Sequence, residues 1–457
     1  MYRKYIENLR TWINNPNRKP LMVWGARQTG KTYLIKDLFA EKYYKNKYVY
    51  IDCTTEGEIC DYISKNINAT KVINYISLKK GIVIDKSTLL IFDEAQECMP
   101  VITLMKYFCQ EYREIPIIVT GSMVRIKISR HSHKRGIKSS DGFMFPVGKI
   151  DELTIYPLNF EEYLINRNEV LYHRIVDSYN KKEYLDFEFH SLALDTFFEY
   201  LLVGGMPEAV DTFLKTNNYQ ASRNVLHSLY NNYLSDMDLY QASPESIIRS
   251  KQIFDQLFAQ LNKESKDFSP SLIKKGLKNR DLLSPIDWLV TSFIVEQSFL
   301  VNEKVTYPLL PCDTNNFRLY LCDVGMFSYQ SNIDPTYFIS RETHNQFSGL
   351  FFENYVANEL INQDIKLFYW KGKDNAEFEF LVQQNFDIIP IDVKKNKGKL
   401  NSLEKYKNHN KCNLAIKISS NQFGYDDNTK ILTIPFYYVF MLAKDIKSNN
   451  VLDLCKN

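Results

Sequence analysis

Four short apolar runs, "PLMVW" (20–24), "KYVYIDC" (47–53), "TLLIFD" (88–93) and "IPIIVTG" (115–121), alternate with helical stretches in the first third of the chain. Nearly continuous apolar strands separated by helices predict a parallel sheet covered on both faces, so this part reads as an α/β domain. Ahead of it, Ile6, Leu9 and Ile13 recur at spacings of three and four, predicting a helix within residues 1–18 that ends at "NNPNRKP". From about residue 158 the texture changes to long aromatic-rich helical stretches such as "LDTFFEYLLVGGMPEAVDTFL" (194–214), broken by Gly-Gly-Met-Pro. A small helical module follows over about 245–300, ending in "PIDWLVTSFIVEQSFLV". Near residue 340 the pattern shifts once more, to a helix "SGLFFENYVANELINQ" and strand-like runs "KLFYW", "AEFEFLVQ" and "DIIPIDVKK". The pattern divides the chain into an α/β domain (1–157), a helical lid or linker (158–235), a second helical module (236–335) and a C-terminal α/β domain (336–457).

Composition narrows the function classes. With 457 residues, 45% of them hydrophobic, the chain has material for several cores. Its 57 basic and 54 acidic residues leave a net charge of +3, so a nucleic-acid partner has to be argued from local patches. The N-terminus lacks the apolar core of a signal peptide, and no run approaches the ~18 apolar residues of a membrane span. Eight cysteines (53, 60, 98, 109, 312, 322, 412 and 455) show neither a CxxC nor a Cys/His pattern. That scatter argues against zinc and disulfides and reads as reduced core cysteines of a cytoplasmic protein.

The sharpest chemistry lies in "GARQTGKT", where Gly25 is followed after four residues by Gly30, Lys31 and Thr32. Glycines let backbone N–H groups converge on phosphates at the positive end of the following helix. Gly25, Ala26, Arg27, Gln28, Thr29, Gly30, Lys31, Thr32 and Tyr33 are thus expected around ATP. Lys31 would reach the β- and γ-phosphates, and the Thr32 hydroxyl would serve Mg²⁺. The strand "TLLIFD" ends in Asp93, expected in the Mg²⁺ shell, and Glu94, expected to polarise the attacking water. "IPIIVTGSMV" ends in Thr120, Gly121 and Ser122, with Ser122 the candidate sensor of the γ-phosphate.

The ordered set "GARQTGKT", "IFDEAQ", "VTGS", "FPVGKIDELTIYPLNFEEYL", "YLLVGGMPEAV" and "FRLYLCDVGM" resembles a widespread family of prokaryotic predicted ATPases of the AAA+ superfamily. The resemblance runs over nearly the whole chain and implies ATP binding and hydrolysis, without supplying a substrate. It also implies a winged-helix-like part in the middle of the chain.

Three further features bear on partners. The insert "MVRIKISRHSHKRGIKSSDG" carries Arg125, Lys127, Arg130, Lys134, Arg135 and Lys138. It reads as an arginine finger offered to a neighbouring subunit of a homo-oligomer, as a DNA-contacting loop, or as a solvated loop, to which His131 and His133 add polarity. Lys263, Lys266, Lys274, Lys275, Lys278 and Arg280 crowd the module at 263–280, which resembles a winged helix-turn-helix able to enter DNA; a helical connector with a basic face is the alternative. Finally, Glu379 on one strand, Asp392-x-Lys394 on the next and Glu353 on a nearby helix resemble the PD-(D/E)xK nuclease core. Glu377 is expected on the same strand face as Glu379. There Glu353, Glu379 and Asp392 would hold a metal and Lys394 would orient the nucleophile. Glu379 stands where that pattern usually has Asp, which leaves activity open. Three functions follow: an ATPase whose nucleotide state controls a nuclease-like, DNA-contacting region; an ATP-gated switch with an inactive nuclease-like domain; or a metal-dependent nuclease regulated by ATP.

Overall fold

The computed structural model describes residues 1–126, 128, 145–241, 243–334, 348–373, 376–394 and 401–455. The chain forms two compact units: residues 3–156 with 291–293, and residues 1–2, 157–290 and 294–457.

In the first unit, strands β1 (Leu21–Trp24), β2 (Tyr48–Asp52), β3 (Leu89–Asp93), β4 (Ile117–Thr120) and β5 (Asp151–Thr154) form one sheet in the order β2-β3-β4-β1-β5. Every neighbouring pair is parallel. β1, β3 and β4 are buried along their whole length, which is why their sequences are apolar without alternation. The two faces nevertheless separate cleanly. Met22, Val49, Ile51, Leu90, Phe92, Ile117 and Val119 enter one core, while Leu21, Val23, Leu89, Ile91 and Ile118 enter the other, with Leu9 and Trp12 of the helix Tyr5–Asn14. Because β4 lies between β3 and β1, the carboxyl ends of these three strands stand side by side, where ligands of open α/β sheets bind.

The second unit begins with helices and adds two mixed sheets. β6 (Val295–Leu300), β7 (Phe317–Leu321), β8 (Leu367–Lys371) and β9 (Glu377–Phe378) run in the order β7-β6-β8-β9. β10 (Phe380–Gln384), β11 (Asp387–Val393), β12 (Ala415–Ser419), β13 (Gly424–Asp426) and β14 (Ile431–Pro435) run β10-β11-β12-β14-β13. The chain is therefore α/β throughout. The apolar run after Pro285 is not one long helix: it is helical over Leu283–Thr291, turns at Phe293 with φ +60°, and becomes β6. Its β-branched and aromatic residues suit the pleated surface between β7 and β8.

Several segments that carry the family resemblance interlock within this unit. Asn159 caps the helix Phe160–Arg167 reciprocally with Glu162. A Cβ on Gly205 would lie 1.9 Å from the Leu158 carbonyl oxygen. Gly204 and Gly325 approach so closely that a Cβ on either would come within 2.6 Å of the other's Cα. Asp323 seals the junction, accepting hydrogen bonds from the backbone N–H groups of Gly205 (2.6 Å) and Met326 (2.8 Å). "GGMP" and "CDVG" are thus two halves of one backbone contact.

Candidate functional site

The loop between β1 and the following helix folds as its glycines dictate. Gly25 has φ +143°, and a Cβ there would sit 2.2 Å from the Ile155 carbonyl oxygen. Gln28 (φ +63°) and Gly30 (φ +83°) also take left-handed backbone. Thr29 donates to the Ala26 carbonyl (3.0 Å), and Arg3, buried just ahead of the N-terminal helix, donates to the Thr29 carbonyl (2.9 Å) and anchors the loop. The helix after Thr32 is π-wound over Tyr33–Ala40 and then α-helical to Tyr43. Arg27, Gln28, Thr32 and Tyr33 are the exposed members of this segment, Gly30 is partly exposed, and Gly25, Ala26, Thr29 and Lys31 are buried. The Lys31 ammonium is buried and donates to the carbonyls of Ala26 (2.7 Å) and Gly25 (3.2 Å). Burial pushes it down to about 8, against the pull of Glu94 and Asp93.

The acidic half meets this loop at atomic distance. Thr32 Oγ1 donates to Asp93 Oδ2 (2.7 Å), and the Tyr50 hydroxyl of β2 donates to the same oxygen (2.8 Å). Oxygen donors in contact suit a hard divalent cation, so Thr32 and Asp93 fit Mg²⁺. Glu94 follows in left-handed backbone (φ +50°), a conformation non-glycine residues hold only under surrounding constraint. Its Oε2 accepts from Gln96 Nε2. Gln96 packs under Gly121, where a Cβ would meet its Oε1 at 2.2 Å. Ser122 is buried at the end of β4, and neighbouring Thr120 is fully buried with a hydroxyl that has no hydrogen-bond partner. Tyr50 escapes the sequence motifs because only the strand order brings β2 alongside Asp93.

In the second unit, Glu353, Glu377, Glu379, Asp392 and Lys394 enter one charged network. Glu377 lies in β9, but Glu379 falls between β9 and β10, where the chain passes from one sheet to the other; the single strand expected for both is corrected accordingly. The centre of the network is Lys266. Its Nζ lies 2.5 Å from Glu353, 3.4 Å from Glu377 and 3.6 Å from Glu379. Arg318, with no exposed side-chain surface, reaches Glu353 (3.1 Å) and Glu377 (2.8 Å) and stacks 4.1 Å from the Tyr369 ring centroid. The Tyr320 hydroxyl donates to Glu353 (2.5 Å). Burial weighs against a charged Lys266, yet Glu353, Glu379 and Glu377 together hold it above the usual ammonium range.

Glu379 accepts a hydrogen bond from the Val393 backbone N–H (3.0 Å). Burial pushes its carboxyl up to about 7, with Asp392 and Glu353 adding and Lys266 opposing. Asp392 is 1% exposed; its carboxylate takes no well-aligned hydrogen bond, while the Lys394 ammonium stands 2.8 Å away as an ion pair. Burial raises Asp392 too, against Lys394. Glu353, Glu379 and Asp392 do not, among the described residues, bring three ligand oxygens within 4.8 Å of one another.

The basic segments divide. Lys266 is not part of a basic surface patch, as its place in the sequence suggests, but the inward cation just described. Lys263 donates to Gln260 (3.0 Å) and the Asp267 carbonyl (2.7 Å). Lys274, Lys275, Lys278 and Arg280 are exposed. Arg125 is exposed and lies 4.9 Å from the Phe293 ring centroid. Lys127, Arg130, His131, His133, Lys134, Arg135 and Lys138 lie outside the described residues.

Three of the cysteines are free and buried in the core of the first unit. The thiols of Cys53, Cys60 and Cys98 all lie within 4.8 Å of one another in the first unit, although their spacing shows no ligand pattern.

A parallel sheet carrying this loop, and an Asp-Glu pair at the end of β3, defines a P-loop nucleotide-binding domain of the AAA type. Residues 17–164 match the family model described as an AAA domain. Residues 194–337 and 348–437 match models described as domains of unknown function, DUF8612 and DUF4143. No curated protein matches the chain. Solved structures similar to it include a replication initiator DnaA bound to AMPPCP and single-stranded DNA (12% identity, TM-score 0.27, covering 62% of this chain and 86% of that one). An AMPPCP-bound DnaA from Aquifex aeolicus (13%, TM-score 0.25, 62% and 86%) and a DNA replication initiation factor (14%, TM-score 0.24, 56% and 68%) are others. Likeness of this size carries no argument about function. Among the described residues no helix is long and apolar enough to cross a membrane.

Proposed function

We propose that the protein is a cytoplasmic Mg²⁺-dependent ATP hydrolase whose nucleotide state controls a nuclease-like, DNA-contacting C-terminal region. The observation that carries the ATPase reading is the direct contact of Thr32 with Asp93 at the strand ends, with Lys31 buried beside them. In this reading Gly25 to Tyr33 cradle the triphosphate, and Lys31 exchanges its two loop carbonyls for phosphate oxygens. Thr32 and Asp93 would hold Mg²⁺, which neutralises phosphate charge when bound. Glu94 orients and polarises the attacking water, released for that task by Gln96, and Ser122, with Thr120 beside it, senses the γ-phosphate. Loss of the γ-phosphate frees these contacts and allows the domain to move. A homo-oligomer would allow Arg125 or another arginine of its insert to act on a neighbour's nucleotide. The four-part division at 157, 235 and 335 is retained as the functional organisation.

The nuclease-like reading draws support from buried Asp392 with its unbonded carboxylate oxygens, the raised carboxyl of Glu379 and the Lys394 ion pair. One observation favours the second reading, an ATP-gated switch whose nuclease-like domain does not cleave: the Lys266 ammonium already stands among three carboxylates. DNA would be met by Lys274, Lys275, Lys278 and Arg280 together with the basic insert. A salt titration of DNA binding with and without ATP tests the proposal. Affinity that falls with salt and responds to ATP is expected; a flat response near physiological salt removes the nucleic-acid half. Incubation with DNA and Mn²⁺ separates the readings, since cleavage that survives Asp392→Ala with Lys394→Ala cannot come from this site.

A further inference from the structure

We propose that Cys53, Cys60 and Cys98 form a binding site for one thiophilic d¹⁰ metal ion, with Cu(I) the better match and Zn²⁺ the other candidate. The three sulfurs come from separate elements. Cys53 follows β2, Cys60 lies in the helix Gly57–Lys65, and Cys98 ends the short turn Ala95–Glu97 behind Asp93-Glu94. Their thiols lie within 4.8 Å of one another and are 4%, 8% and 2% exposed, and all three are free. A disulfide would join only two of them and strand the third.

The donor set selects the ion. Three thiolates are soft ligands that suit Cu(I) or zinc and do not suit Mg²⁺. Among the described residues no fourth His, Cys, Asp or Glu joins them, and the surrounding core includes Ile59, Ile63, Val101 and Ile102. Zinc is almost always four-coordinate, so it would need a water drawn into that apolar wall, whereas Cu(I) accepts three sulfurs. On binding, each ligating S–H bond is replaced by a sulfur–metal bond and its proton passes to solvent; no electrons move.

The location gives the site a consequence. The Cys53 backbone N–H donates to the Asp93 carbonyl (3.0 Å), and Cys98 N–H donates to the Ala95 carbonyl (3.0 Å). A metal clamping these three thiols would fix the segment from Asp93 to Cys98, and with it Glu94 and Gln96. That influence on turnover rests on the ATPase reading, but binding itself does not, so binding is measured without nucleotide.

The reduced full-length protein is titrated with Cu(I) against a chromophoric Cu(I) chelator and, separately, with Zn²⁺ against a zinc indicator. About one tightly held equivalent of one ion is expected, with a raised melting temperature. Cys60→Ser, at the most exposed of the three, should reduce binding at least ~10-fold, while Cys109→Ser should leave it unchanged. As a readout free of mutation, the bound ion should protect Cys53, Cys60 and Cys98, but not Cys109, from iodoacetamide, read by peptide mass spectrometry. Absence of binding by both ions, binding unchanged in Cys60→Ser, or protection confined to other cysteines overturns the proposal.

Discussion

Replacing Lys266 with Met removes a cation that stands 2.5, 3.4 and 3.6 Å from three carboxylates while keeping most of its volume. At an effective dielectric of about 20, a unit pair near 3 Å attracts by about 5 kcal/mol, most of which offsets the cost of desolvation. Removing one partner of a buried pair costs about 3–5 kcal/mol, because the remaining charge stays uncompensated. Arg318 still reaches Glu353 and Glu377, so Glu379 carries most of the loss. The expected destabilisation is therefore about 3 kcal/mol at pH 8, at the lower end of that range. Its pH dependence has a definite sign. Glu379 is already raised to about 7 in the folded protein, and loss of Lys266 raises it further. A carboxyl raised on folding contributes stability that is present below its unfolded value and lost as pH rises through the folded one. The variant should therefore be closer to wild type at pH 6 than at pH 8. Urea unfolding of both proteins at the two pH values measures this, and Mn²⁺ should restore part of the loss if the acids accept a divalent ion. A difference under about 1 kcal/mol at pH 8, or one independent of pH, would show that Lys266 does not balance these carboxylates.

Glu94→Gln should leave nucleotide binding intact and lower turnover by ~10²–10⁴-fold, measured by phosphate release beside a fluorescent-nucleotide titration. A binding-only switch would keep its DNA response in this variant. Affinity for ATP should fall by up to about tenfold per unit as pH rises above about 8, because the free protein's Lys31 loses its proton there and must regain it to meet phosphate. Titrations at pH 7, 8 and 9 check this, and constant affinity refutes it. Gly25→Ala forces a Cβ against the Ile155 carbonyl at φ +143° and should cost at least ~2 kcal/mol, visible in thermal unfolding and nucleotide binding. Asp323→Ala removes a helix cap worth about 1 kcal/mol and leaves the buried Gly205 N–H unpaired, for a total loss of about 2–4 kcal/mol in urea unfolding.

Local features of this protein were legible in its sequence. "PLMVW", "TLLIFD" and "IPIIVTG" announced buried parallel strands because burial on both faces demands unbroken apolar side chains. The fold of the loop Gly25–Thr32 was equally legible, since it is built from consecutive residues and their own backbone. Tertiary structure decided everything that depends on a distant partner. Lys266 meets Glu353 87 residues further along the chain, and nothing in "KESKDF" separates an inward lysine from a solvated one. Glu379 lies where the chain changes sheets, a pairing choice that strand periodicity does not encode. Phe293 and β6 follow a run that reads as helix until neighbouring strands claim it. Cys53, Cys60 and Cys98 become a cluster only because β2, β3 and the helix Gly57–Lys65 converge. Spacing along the chain records which face of an element is buried; packing alone decides which other element buries it.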